Sequence, residues 1–268
     1  MTPNIDQAVQ FIQERFAVAR KERAVIAVSG GIDSAVSLTL AVKALGPDAV
    51  FALLLPYGEQ DMRDAQTIAD FNALPTSNIL TLPITEMVQT AAKTLNLDTL
   101  GELDSTEQLR LGNLMARSRM LCVFDLSKKL DALVCGTENR SEHYLGYFTR
   151  FGDEASDIEP ISGWWKTEVR AAASALQLPE VFVTKAPSAG LWQGQTDETE
   201  LGFTYEAADK ILAAWVVWSE QSSATSIDDA ALQTIATSAG VTAAETKQVL
   251  DRVTQTLFKR ETPYRNEP

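Results

Sequence analysis

Residues 24–45, AVIAVSGGIDSAVSLTLAVKAL, decide the fold class of this chain. Ala24 to Val28 are small or β-branched without alternation, the pattern of a strand buried on both faces. Ser29-Gly30-Gly31 follows, a turn in which backbone approaches a ligand with no Cβ in the way. Asp33 and Ser34 then open an apolar helix. Strand, glycine turn and helix N-terminus together form an anion cradle, since unpaired N–H groups and the positive end of the helix dipole point at one spot. Asp33 adds a carboxylate there, which repels a bare phosphate but holds a magnesium ion bound to one. The segment is therefore suited to the phosphates of a nucleotide.

Two common phosphate motifs are excluded: no Gly-Lys-Ser/Thr closes a P-loop, and no G-x-G-x-x-G marks a dinucleotide fingerprint. Working outward, the pattern predicts helix 4–20, strand 24–28, helix 33–45, strand 49–55, helix 61–73, strand 78–82 and helix 84–95. A polar loop near 96–105, a long helix 106–130 and strand 131–136 follow. Strands alternating with helices indicate an α/β fold with a doubly wound, mostly parallel sheet, in which ligands collect at the carboxyl ends of strands. SGGIDS and GTENRSE both fall at such ends and can face one site. Beyond residue 160 the pattern turns helical, at 166–176, 204–218, 227–238 and 242–259. The loop between, roughly 184–203, is too long and too rich in Gly, Pro and Thr for a regular element; such loops commonly act as lids or binding segments. One domain, 1–268, with a helical C-terminal part about 204–260, is expected.

The 268 residues carry a formal charge of −13, which argues against a nucleic-acid partner, since a phosphate backbone is met by a basic surface. A hydrophobic content of 45% and a charged content of 22% suit a globular protein rather than a disordered one. Cys122 and Cys135, the two cysteines, read as small core residues rather than a disulfide or metal ligands. The start, MTPNIDQAVQFIQERF, is an amphipathic helix with acidic residues and no targeting signal, and no apolar run approaches a membrane span. A cytoplasmic protein is expected.

Several side chains near the two motifs carry chemistry. Gly136-Thr137 brings a hydroxyl and close-approaching backbone to a strand end. Glu142 falls on the first turn of the next helix, where it and Asp33 make two carboxylates converging on one ion; magnesium takes one or two and leaves its other positions to phosphate and water. His143, the single histidine, lacks a Ser or Cys nucleophile motif and reads as structural. Tyr147 to Asp153, YFTRFGD, is equally an aromatic corner of the core or a platform that stacks on a base while Arg150 forks onto an anion. Arg117 and Arg119, on an otherwise apolar helix, need anionic partners or solvent. Lys166 is a further candidate for the phosphates of ATP.

The order SGGIDS resembles the pyrophosphate-binding motif of the N-type ATP pyrophosphatases. Together with ARSRM, GTENRSEHYLGYFTRFGD and PSAGLWQGQTDETELGFTY, it makes the chain similar to the ammonia-dependent NAD synthetases from about residue 4 to the C-terminal Lys-Arg. The resemblance implies a homodimer and an ATP-driven amidation. The nicotinate carboxylate of deamido-NAD attacks the α-phosphate of ATP, pyrophosphate leaves, and ammonia then displaces AMP. It also implies roles by motif position. Ala27, Val28, Ser29, Gly30, Gly31, Ile32, Asp33 and Ser34 would cradle ATP phosphates. Thr137, Lys166 and Ser188 would also contact ATP. Asp33 and Glu142 would hold Mg2+. Arg117, Arg150, Asp157, Phe258 and Lys259 would hold deamido-NAD. Asp153 is expected to take a proton from ammonium.

Two departures stand out. Leu54-Leu55-Pro56 replaces an Arg-Leu-Pro that often touches ATP, and Phe258-Lys259-Arg260 replaces a His-Lys-Arg. No Cys-Glu-Lys triad for glutamine hydrolysis is evident, so free ammonia or ammonia from another protein is the expected donor. A different adenylating amidotransferase and a catalytically silent nucleotide-binding regulator are the rival readings.

Overall fold

The protein is described by a computed structural model covering residues 3–98, 103–187, 196–222 and 227–260. Helix α1 (Ile5–Ala19) precedes β1 (Ala24–Ala27), α2 (Ile32–Leu45), β2 (Val50–Leu54), α3 (Arg63–Phe71), β3 (Ile79–Thr81), α4 (Thr85–Thr94), α5 (Ser105–Leu130) and β4 (Leu133–Val134). The helices α6 (Arg140–Leu145), α7 (Lys166–Ala175), α8 (Glu180–Thr184), α9 (Asp197–Leu201), α10 (Tyr205–Gln221), α11 (Asp229–Ala239), α12 (Ala243–Gln255) and α13 (Leu257–Arg260) follow.

All strand pairs are parallel, in the order β3-β2-β1-β4. This is the doubly wound α/β arrangement expected from the alternating pattern. Successive residues of a strand point to opposite faces, and both faces here are covered. Ala24, Ile26, Ala52 and Leu54 pack on one side with α1, α2 and α7. Val25 and Leu53 pack on the other with Met115, Val123 and Leu126 of α5. Helix α2 lies so deep that even Ser34, Ser37 and Thr39 are buried. A third apolar cluster joins Leu145 and Trp165 to Tyr205, Ile211, Leu212, Val249 and Val253, seating the C-terminal helices on α6 and α7. No helix among the described residues is long and apolar enough to cross a membrane.

The structure corrects three expected boundaries. Strand 131–136 shrinks to Leu133–Val134, with Cys135 forming an isolated bridge to Ile158. Its edge is taken by the next loop: Asp157 Oδ2 accepts the Val134 N–H at 2.7 Å, and Val134 O accepts from Asp157 and Ile158. The loop 184–203 holds a regular element after all, α9, because Thr196 caps it by accepting from Thr199 N and Gly202 ends it at φ +78°. Helix 242–259 is interrupted at Thr256, whose hydroxyl donates to the Arg252 carbonyl. Helix α8, five residues long, was not expected.

Candidate active site

Strand β1 is flanked by β2 and β4, so connections leave its end in opposite directions, the switch point at which sheets of this kind form their ligand crevice. The glycine turn occupies that point. Gly30 has φ +80°, and a Cβ there would lie 2.9 Å from Asp64 Cβ and 3.1 Å from Ala65 N of α3. Only glycine satisfies both the left-handed backbone and the close approach of α3. Serines hold the turn: Gly31 N donates to Ser29 Oγ at 3.2 Å, and Ser34 Oγ donates to Gly31 O at 3.0 Å. Gly31, which precedes α2, supplies no side-chain cap, so the first amides of this 14-residue helix face the crevice as anion donors. Lys185 reaches over the turn from the chain after α8, donating to Gly30 O at 3.4 Å and to Asp64 Oδ2.

The end of β4 meets this turn. Ser37 Oγ of α2 donates to Gly136 O at 2.6 Å, which ties that helix to the chain leaving β4. A Cβ on Gly136 would lie 1.9 Å from Glu159 Oε1, and Glu159 in turn accepts from Glu138 N at 3.0 Å and from Ser156 Oγ at 2.7 Å. Thr137, half-buried, stands on this strand-end loop. Asn139 then caps α6 by accepting from Glu142 N at 3.0 Å, while its amide donates to Asp33 Oδ1 at 2.8 Å. One asparagine thus fixes both acids.

Lys166 completes the cluster. Its ammonium lies 2.5 Å from Asp33 Oδ2 and 2.9 Å from Glu142 Oε1, and the residue is only 2% exposed. Burial alone would lower the lysine's pKa, but Asp33 and Glu142 outweigh it and hold the ammonium charged. Glu142 is pushed upward by burial first and by the Asp33 charge second, against the pull of Lys166. Tyr205 places its ring 5.2 Å from the Lys166 ammonium and donates its hydroxyl to Asp197 Oδ2 at 3.2 Å.

Two oxygen donors from different elements already share one cation, and such a hard donor pair fits a divalent magnesium ion. Among the described residues no three His, Cys, Asp or Glu side chains are grouped to hold a metal by themselves.

The remaining expected residues fall in two places. Arg117 on α5 donates to the backbone carbonyl of Arg150 at 3.3 Å, and the Arg150 guanidinium lies over Phe258 at 5.5 Å. Lys259 donates to the carbonyls of Gly146 and Phe148 at 2.7 and 2.6 Å. Asp153 accepts from Thr149 N at 2.9 Å and is exposed. Asp157 spends one oxygen on Val134 N. Arg119, instead of an anion, meets Leu55 O at 3.1 Å and Gln60 Oε1 at 2.9 Å. Ser188 lies outside the described residues. Asn139, Ser141, Glu159, Lys185, Asp197 and Asp209 were not singled out in the sequence. Asn139 alone had a local signal, the N-x-x-E spacing of a capped helix start.

The model of the NAD synthase family matches residues 4–263. The chain is 41% identical to an NH(3)-dependent NAD(+) synthetase of Pyrococcus furiosus over 78% of its length and 76% of the relative's. Among solved structures it is similar to an NMN synthetase from Francisella tularensis, with a TM-score of 0.76 and 31% identity over 97% of this chain and 96% of that one. An NH3-dependent NAD synthetase from Campylobacter jejuni, in complex with nitrate, gives a TM-score of 0.75 at 28% identity over 98% and 97%.

Proposed function

The chain belongs to the NAD synthase family, and from that premise we propose that it amidates deamido-NAD with ammonia, converting ATP to AMP and pyrophosphate. It is a ligase that forms a carbon–nitrogen bond. The observation that carries the reading is the Asp33–Lys166–Glu142 bridge at the mouth of the glycine turn.

A carboxylate is a poor electrophile, so its oxygen must first become part of a leaving group. In the first step the nicotinate oxygen bonds to the α-phosphorus of ATP and the bond to the β-bridging oxygen breaks. The departing pyrophosphate carries added negative charge at that moment. The amides at the start of α2 are preset donors for it. Asp33 and Glu142 would hold magnesium, which would supply neutralisation of phosphate charge. The Lys166 ammonium, held beside both acids, would add its positive charge at that point.

In the second step ammonia bonds to the acyl carbon, the carbon–oxygen bond to AMP breaks, and the added nitrogen sheds a proton. Ammonium must lose a proton before it attacks. Asp153, an exposed carboxylate held in place by the Thr149 N–H, attracts the cation and takes its proton. Arg117 and Arg150 supply the cationic side that holds the dinucleotide, with Phe258 stacked on Arg150. Two copies of the chain would pair through the exposed apolar residues Leu109 and Leu121 of α5.

The test is incubation with ATP, magnesium and ammonium plus one of three acceptors: deamido-NAD, nicotinate mononucleotide or xanthosine monophosphate. Equimolar AMP and amide product with deamido-NAD is the expected result. AMP formed only with the mononucleotide, the product class named for the Francisella relative, would replace the substrate. No AMP with any of the three would overturn the reading.

A further inference from the structure

Asp209 on α10 is 4% exposed and has no place in the chemistry above. Its two oxygens are nonetheless fully committed. Oδ1 accepts the Ser141 hydroxyl at 2.5 Å, and Oδ2 accepts the Thr167 N–H at 2.8 Å. Ser141 Oγ, itself wholly buried, accepts the Lys166 N–H at 2.8 Å. The amides of Lys166 and Thr167 are the first two of α7, which have no acceptor within their own helix. Trp165, the residue before them, contributes no side-chain cap. A carboxylate four residues into α10 therefore caps α7 across space, and its charge sits at the positive end of that helix.

The geometry points to Asp209 as a positioning residue: through Ser141 and the first two amides of α7, it fixes the backbone from which Lys166 reaches the phosphate site. Tyr205 lies on the same face of α10, one turn earlier, with its ring beside the lysine head. Helix α10 thus holds Lys166 at both ends, the backbone through Asp209 and the ammonium through Tyr205. The inference rests on the reading of Lys166 as a phosphate ligand and extends it to the C-terminal helices.

ATP affinity in the presence of magnesium, measured by titration calorimetry on the full chain, tests this with D209A, D209N, K166M and the D209A/K166M pair. D209A is expected to weaken ATP by about tenfold while leaving deamido-NAD affinity within about twofold. D209N should lose no more than about threefold, since its carbonyl can accept from Thr167 and its amide can donate to Ser141. The double variant should bind within about twofold of K166M alone, because a residue acting only through Lys166 has nothing further to lose. Wild-type ATP affinity in D209A, or losses that add in the pair, would overturn the inference while K166M, being weakened, still supports the site. Wild-type affinity in K166M would overturn the reading of the site and the inference with it. Should D209A not fold by circular dichroism, S141A takes its place in the same cycle, with the same non-additivity expected.

Discussion

Lys166 is the residue on which the electrostatics turn. An ammonium buried to 2% exposure between two carboxylates is stable only because both partners are present. Replacing it by methionine would leave the Asp33 carboxylate without its cation and drive Glu142 to its protonated form, a change that typically costs about 3 kcal/mol. K166M is therefore expected to unfold at distinctly lower urea concentration than wild type at neutral pH; an unchanged midpoint would contradict the pairing. Glu159 offers a second test at this scale. Its carboxyl, pushed up from 4.5 to about 8 chiefly by burial, keeps its proton in the native state where the unfolded chain releases it. The native state thus binds more protons between those values, and stability falls as pH rises through that window. The effect is on the order of 2 kcal/mol once partial solvent access is allowed for. E159Q, neutral throughout, should gain melting temperature relative to wild type from pH 5 to pH 9, and a pH-independent difference would refute the burial argument.

At the scale of elements, the joint between β4 and α6 carries the site. N139A removes the cap of α6 and the amide that steadies Asp33. A loss of about 1–2 kcal/mol is expected in chemical denaturation, together with weaker ATP binding. G30A should be destabilising as well, by about 1–3 kcal/mol, because it combines a left-handed backbone with the approach of Asp64. The glycine turn was legible in the sequence because its signal is local: buried strand, glycines and helix start are contiguous. Asp33 and Glu142 could be paired because each begins a helix after a strand. Other features had no such signal. Helices α8 and α9 are one turn long, below the length at which hydrophobic periodicity shows, and α9 depends on the Thr196 cap. Asp209 reads as an ordinary acid on α10; its partners lie 42 and 68 residues away in sequence and exist only once α6, α7 and α10 pack. Strand β4 was read too long because Asp157 replaces a neighbouring strand at its edge, a contact no periodicity records.

For the whole molecule, the order β3-β2-β1-β4 brings the turn after β1 and the loop after β4 to one edge, and the C-terminal helices brace that edge through Trp165, Lys166 and Tyr205. The proposed pairing of two copies belongs to this scale. Leu109 is 58% and Leu121 56% exposed on α5, two apolar side chains that a lone chain would leave in water. L109E/L121E is expected to sediment as a monomer where wild type sediments as a dimer, with its thermal unfolding losing concentration dependence; a wild-type chain that sediments as a monomer would remove the pairing. The central claim, that the crevice couples cleavage of ATP at the α-phosphate to activation of a carboxylate, is tested most directly by oxygen transfer. Deamido-NAD carrying heavy oxygen in both positions of its nicotinate carboxyl is turned over with ATP, magnesium and ammonium, and the products are weighed by mass spectrometry. One labelled oxygen in each AMP and one in each amide is the predicted outcome. AMP free of label, with turnover intact, would contradict it.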